Sequence, residues 1–445
     1  MAYEQVTVGQ AIPLIVVAIG SFFVVQELRL ALLGLVALAL IIPINIPTGT
    51  DVVLNPSVII IPGLFGLWLL SRFRRHLPLL EPSTLNKPFI VFIGAGFISL
   101  LIGQAMWDPS VPRENTFILV QFAQWGIFIL SFAATWIMGH YITDEVWLKR
   151  ITFTFILIGG TIAFLKLFPY MHYRVFPRYI TIVFTRAPFW IALLSLSLGQ
   201  LLFNRKLPDY LKLLMVLSII GITYNALTIQ RESASIWVSL VAATGVLCWL
   251  RWPKLRVPIV MAGATLLLSG TLLDFLWAFA GGEEEWFESG GSRLTLILRV
   301  IDMTMRNPIT GLGPAAYRPY GILEPLIYEH IIWYTPLISS HNNYVDIFSH
   351  MGIVGLILFA WIAIRIGFLC VKLHIQVKEG FLAGYVNAVT AMGVACLVVM
   401  LFGDWVLPFV YNIGFPGFQA SFLVWLFLGG LLTIEKMIER GDYEP

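Results

Sequence analysis

The feature that most constrains this chain is a succession of apolar runs, each about 15–25 residues long, separated by short charged or Pro/Gly-rich breaks. The hydrocarbon core of a bilayer takes about 20 helical residues, and there every backbone polar group must be satisfied within the protein. The runs therefore read as transmembrane helices. About thirteen are expected, with twelve or fourteen allowed by the short first three: 11–25, 29–44, 57–71, 88–106, 116–138, 151–168, 187–203, 211–228, 234–250, 257–279, 344–370, 381–402 and 417–434. Composition agrees: 58% of the 445 residues are hydrophobic and 12% charged, against roughly 45–50% and about 25% in soluble domains. The expected fold is all-α, a single polytopic bundle over residues 1–445 with a mostly helical outer loop embedded at 280–343.

Several function classes drop out. A formal charge of +3, from scattered basic residues, argues against a nucleic-acid partner. Cys248, Cys370 and Cys396 all lie inside apolar runs, with no disulfide framework and no CxxC spacing. No His/Asp/Glu constellation suggests a metal, so neither metal nor cofactor is expected. The first ten residues hold no Lys or Arg, so a cleaved signal peptide is not expected either. No internal repeat or low-complexity tract appears.

Charge asymmetry fixes the expected orientation. Arg72 to Arg75, Lys149-Arg150, Arg205-Lys206, Arg251 to Arg256, Lys372 to Lys378 and Lys436 to Arg440 fall on one side of the alternation. The positive-inside rule makes that side cytoplasmic. Ten of the 28 basic residues fall on the other side: Arg113, Lys166, Arg174, Arg178, Arg186, Arg231, Arg293, Arg299, Arg306 and Arg318. Nine are arginine, whose planar fork grips phosphate or carboxylate in a way lysine cannot. An outward set of arginines suits an anion at the outer leaflet; snorkelling to lipid phosphates is the competing reading. Arg231 sits in a turn hardly longer than a helix break, nearly intramembrane, where Glu232 offers a purely structural partner.

The segment 280–343 is far longer than an ordinary connector, and too rich in Trp, Tyr, Leu and Ile to be disordered. It opens on Gly281-Gly282-Glu283-Glu284-Glu285 and Gly290-Gly291, an acidic turn whose carboxylates are expected to be solvated rather than cation-binding. From Ser292, a plausible N-cap, to Arg306 the pattern is helical. Thr295, Arg299, Asp302 and Arg306 form one polar stripe, with Asp302 as the partner of the two arginines. Arg293 lies about 160° around the helix from that stripe, toward the bundle, where an unpaired arginine is costly.

Asn307-Pro308-Ile309-Thr310-Gly311-Leu312-Gly313-Pro314 reads as a helix stop and turn, with phosphate binding by its N–H groups as the alternative. Ser339-Ser340-His341-Asn342-Asn343 closes the loop at the mouth of the next helix, a place for capping. It is also where a His titrating near neutrality suits general-base work. His330 and His350 are weaker candidates for that role.

The stretch Ser292 to Gly355 resembles the O-antigen ligase and polymerase superfamily. The resemblance rests on Ser292-Arg293, on Arg306 to Pro314, and on His341-Asn342-Asn343-Tyr344-Val345-Asp346 with Gly352 nine residues beyond Asn342 and Gly355 after it. The turn Thr228 to Ser233 is similar to the family's Arg-bearing turn, from which Gln230 and Glu232 depart. The resemblance implies a GT-C-type membrane glycosyltransferase in the plasma (inner) membrane, its active site facing the periplasmic or extracellular side. The implied donor is a polyprenyl-diphosphate-linked glycan and the acceptor a lipid or glycan hydroxyl. Arg231, Arg293 and His341 match the essential residues: His341 would activate the acceptor while the two arginines grip the diphosphate. Arg174, Arg178, Arg186, Asn342 and Tyr317 would help bind substrate, and the prenyl tail would lie between helices. Ligase and polymerase remain alternatives within this class. A transporter of lipid-linked glycans remains the alternative outside it, and a purely structural or assembly subunit would leave His341 without a role.

Overall fold

The computed structural model describes residues 27–43, 46–47, 53–231, 233–270, 274, 292–323, 326–328, 331–333 and 339–443. The expected span 11–25, the acidic turn at 281–291, Glu232 and His330 lie outside them. The described chain is a bundle of apolar helices: α1 (Leu28–Ile41), α2 (Pro56–Arg74), α3 (Asn86–Ala105), α4 (Phe117–Tyr141), α5 (Glu145–Leu165), α6 (Ala187–Phe203), α7 (Asp209–Tyr224), α8 (Ala234–Arg251), α9 (Arg256–Leu268), α10 (Ser292–Thr304), α11 (Asn343–Gln376), α12 (Gly380–Val399) and α13 (Gly414–Arg440). Among the described residues, nine helices are long and apolar enough to cross a membrane, and α1 and α6 are shorter apolar ones. α1 has only 14 residues, and of the span expected at 257–279 the described helix reaches Leu268.

The sequence places α13 at the centre. Its most apolar eighteen-residue window is wholly buried, between α4, α6, α12, α2, α11 and α1. Lipid tails are as apolar as leucine, so helices associate through close packing of small residues rather than by escaping water. A Cβ on Gly429 of α13 would collide with the Thr135 carbonyl on α4, and Thr135 Oγ1 donates to the Trp425 carbonyl at 2.7 Å. At the end of the bundle rich in Lys and Arg, Lys436 of α13 hydrogen-bonds Glu81 and the Gly139 carbonyl (2.9 Å), and Arg72 meets Glu81 at 2.8 Å.

The loop between α9 and α11 corrects the sequence reading in four ways. Ser292 is the first helical residue of α10 rather than the cap before it, and the helix stops at Thr304. Arg299 does approach Asp302, at 3.8 Å, but Arg306 reaches across to Asp108 at 3.2 Å and lies over the Tyr320 ring. Among the described residues after α10 are one helical turn, Tyr317–Tyr320, and a small antiparallel pair, β3 (Leu326–Tyr328) on β4 (Ile331–Trp333), with Leu326 opposite Trp333. A second short pair joins β1 (Ile46–Pro47) to β2 (Val53–Leu54).

The fourth correction concerns α11, which is broken. Gly352 sits inside it at φ 64°, ψ −161°, and the freed backbone groups are taken up by the Pro308–Leu312 segment. Ile353 N–H donates to the Pro308 carbonyl (2.9 Å), Val354 N–H to that of Ile309 (3.3 Å), and Leu312 N–H to that of Ser349 (2.8 Å). Ser99 Oγ on α3 bridges the carbonyls of Thr310 (2.7 Å) and His350 (2.5 Å). The two backbones run so close that a Cβ on Gly352 would strike the Ile309 carbonyl, and one on Gly311 (φ 75°) the Met351 and Gly352 amides. The glycines of 307–314 thus serve a turn pressed into a helix break.

This predicts that Gly352→Ala is destabilising by more than about 2 kcal/mol, from the left-handed backbone and the collision together. Gly126→Ala on α4, where a Cβ meets nothing within 4 Å, serves as control. Thermal unfolding in detergent should show a clearly lower midpoint for the first variant only; equal midpoints would sink the argument.

Candidate functional site

Three elements meet at the end of the bundle where α11 begins: the turn 339–342, the connector 400–413 between α12 and α13, and the segment ahead of α6. Asn342 is the N-cap of α11, its Oδ1 accepting from the amides of Tyr344 (3.0 Å) and Val345 (3.2 Å). Its Nδ2 donates to the Leu401 carbonyl at 3.1 Å. Both ends of the side chain are therefore engaged in holding the turn. Asn343 ties the connector down: its Oδ1 accepts from the Val406 amide (2.9 Å), its Nδ2 donates to the Leu407 carbonyl (2.7 Å), and its own amide donates to Met400 (2.9 Å). Gln124 of α4 grips the same connector, accepting from the Val410 amide at 2.8 Å and donating to the Pro408 carbonyl at 3.1 Å.

Behind the turn, Ser340 Oγ and the Tyr317 hydroxyl both donate to Asp346 Oδ1, at 2.7 and 3.0 Å. Tyr317 is fully buried and stacks on Phe409 with ring centroids 4.6 Å apart. It props the turn from inside the protein and does not line an accessible surface. His350 is likewise buried, with Nδ1 accepting from the Ala315 amide at 3.3 Å.

These supports leave His341 half-buried at φ 48°, a left-handed conformation uncommon outside glycine and recurrent at functional sites. Its Nδ1 lies 3.4 Å from Asn412 Nδ2, which donates to Asp404 Oδ1 at 2.7 Å. Asp404 Oδ2 accepts from the Phe409 amide at 2.9 Å. Burial pulls the His341 imidazole below its ordinary pKa, Asp404 opposes that, and Arg293 adds to the fall. Burial pushes the Asp404 carboxyl above its usual range, with the Phe409 amide, His341 and Asn412 opposing. His341 is therefore neutral at pH 7 and can accept a proton.

The arginines are unequally placed. Arg293 lies on the face of α10 that buries Leu296, Val300 and Met303, close enough to His341 to act on its charge. This is the bundle-facing side assigned to it from helical spacing. Arg186, at the N-cap of α6, stands over the Trp405 ring at 5.7 Å. Burial lowers its pKa while Asp404 raises it, and its buried Nε has no hydrogen-bond partner among the described residues. Arg231 is exposed in the turn after the π-helical stretch Asn225–Ile229. That turn touches the Arg186 segment through Gln230 Nε2 and the Thr185 carbonyl, at 3.4 Å. Lys166 braces both: its Nζ donates to Asn225 Oδ1 (3.0 Å) and the Phe184 carbonyl (3.5 Å), and burial lowers its pKa to about 8. Arg174 and Arg178 are exposed on the helical stretch 171–179, one segment away from the cluster.

The geometry brings forward Asp404, Trp405 and Asn412, which the sequence reading passed over as connector. A signal was present. Asp404 is the only charged residue between Glu379 and Glu435, and a carboxylate so isolated among apolar residues is costly to bury unless it is partnered. The arrangement pairs a neutral imidazole with a buried carboxylate and ringing guanidinium groups, a set suited to taking a proton while negative charge develops nearby. Among the described residues, no three His, Cys, Asp or Glu side chains gather as a metal site.

No curated protein matches the chain. Residues 227–360 match a family model described as O-antigen ligase, and that match, which spans Arg231, Arg293 and His341, supports the O-antigen ligase/polymerase superfamily as the one to which these motifs point.

Proposed function

We propose that this chain is a glycosyltransferase that moves a glycan from a polyprenyl-diphosphate donor to an acceptor hydroxyl at the non-cytoplasmic face of the plasma membrane, in the manner of an O-antigen ligase. The single observation behind the proposal is His341, held neutral beside Asp404 with Arg186 and Arg293 around it. The acceptor oxygen attacks the anomeric carbon and forms the new C–O bond. The bond to the diphosphate oxygen breaks, and its electron pair leaves on the diphosphate. His341 takes the hydroxyl proton, and Asp404 steadies the resulting imidazolium through its field. Arg293, Arg186 and Arg231 offset the charge growing on the leaving group; Arg186, with its unpartnered Nε, joins the pair named from the motifs.

An apolar cavity of about 290 Å³ between α11, α12 and α13 supports the donor assignment. It begins at Met400 and Val406, beside the connector that carries Asp404, and continues past Leu397, Phe359 and Ile366. A prenyl chain whose diphosphate sits at the arginines would find its first units berthed there. Polymerase-type extension of the lipid-linked glycan uses the same groups and is separated by product length alone.

Purified protein incubated with a polyprenyl-diphosphate oligosaccharide and candidate acceptors tests the reading. His341→Ala should lower the turnover rate by about 10²–10⁴-fold and Arg186→Ala by about 10²-fold or more, while Arg299→Ala stays near wild type. Single additions to the acceptor identify a ligase and a ladder a polymerase. Full activity in His341→Ala would remove the base assignment, and donor binding without turnover in every form would favour transport.

The pH profile gives an independent check. A base whose pKa is lowered stays neutral until the pH drops below about 6.5, so the acid limb of kcat/KM should lie under that value. Asp404→Asn removes the group that raises the His341 pKa, so the residual activity should show its acid limb at still lower pH. A limb that does not move would show that Asp404 has no electrostatic hold on the base.

A further inference from the structure

At the end of the bundle opposite His341 lies a second cavity, of about 1330 Å³, with no part in the site described above. Its mouth is basic: Lys149, Arg150, Lys206 and Lys378 line it, against Glu145 and Glu379. Glu145 is taken by Lys149 at 2.7 Å. Lys206 and Lys378 are exposed and form no salt bridge among the described residues. The positive ends of two helices open on the same mouth. α12 begins there at Gly380, and α7 at Asp209 next to the lining residues Pro208 and Tyr210, and neither has a side-chain cap. Each lends partial positive charge.

The wall below the mouth is apolar, formed by Val146, Phe153 and Leu157 of α5 and Leu211 and Leu214 of α7. From Glu145 to Leu157 the cavity follows α5 for about 18 Å, at 1.5 Å per residue. That is close to the ~15 Å of hydrocarbon in one leaflet. Val146 and Leu157 are also exposed on the bundle surface, at 55% and 54%, so the apolar wall faces the lipid as well as the cavity. A cationic mouth over an apolar wall one leaflet deep matches the two ends of one molecule.

We propose that this cavity binds an anionic phospholipid of the leaflet opposite the His341 site, the one that the positive-inside rule makes cytoplasmic. Its phosphate lies among Lys206, Lys378 and Arg150, and its acyl chains lie between α5 and α7. Bound there, the lipid joins α5, α7 and α12 at the end of the bundle remote from the chemistry. The inference is independent of glycosyl transfer and survives or fails without it.

The full chain, delipidated in detergent, is titrated with phosphatidylglycerol, with phosphatidylcholine and with inorganic phosphate, and bound lipid is counted by native mass spectrometry. Phosphatidylglycerol should bind at least tenfold more tightly than phosphatidylcholine. Lys206→Gln with Lys378→Gln should weaken it by about fivefold per lysine, and Lys206→Arg with Lys378→Arg should restore it. Both lysines are exposed, so folding is spared, and the arginine pair controls for it. Equal binding of the two lipids, an unchanged affinity in the glutamine pair, or competition by phosphate as strong as by the lipid would each overturn the proposal.

Discussion

The backbone of residues 308–312, seated in the break of α11, is the contact on which the rest of the site depends. A helix interrupted inside a bundle exposes amide and carbonyl groups that lipid cannot satisfy, and each costs several kcal/mol unless another backbone supplies a partner. Here the partner is the long loop itself. The same hydrogen bonds that repair α11 anchor the loop just beyond the C-terminal end of α10, the helix that carries Arg293, and tie down the part of α11 that follows His341. Glycine is required on both sides because the approach leaves no room for a side chain.

A second layer of polar contacts builds on that anchor. Asn342 and Asn343 are spent on the ends of α11 and on the 400–410 connector, and Ser340 and Tyr317 on Asp346. His341, between them, is forced into a conformation that glycine would adopt more readily, with its ring directed at Asn412 and Asp404. Its neighbours are held by hydrogen bonds within the protein, and the residue with the left-handed backbone among them is half-buried.

Much of this was legible in the chain. Apolar length predicted the helices closely: 57–71 became Pro56–Arg74 and 381–402 became Gly380–Val399. The direction of Arg293 followed from helical periodicity alone. The helix break was not legible, because hydropathy is blind to a backbone contact between residues some forty positions apart. Nor were the hydrogen bonds of Tyr317 and Asn342 within the turn, since such side chains suit a binding surface as well as a core. Asp404 gives a fainter signal than the arginines or the longest loop, being a solitary carboxylate in a short connector. Arg306 was assigned a neighbour on its own helix, when a residue near the end of α3 was closer in space.

Among the described helices α13 comes last in chain order, yet it occupies the axis around which α1, α2, α4, α6, α11 and α12 are arranged. Those six leave the ribosome earlier and must wait, side by side, around a column still to be filled. The connector bearing Asp404 runs directly into α13 and is gripped besides by Asn343 of α11 and Gln124 of α4. The place of Asp404 beside His341 is thus bound up with the packing of the whole bundle around its central helix.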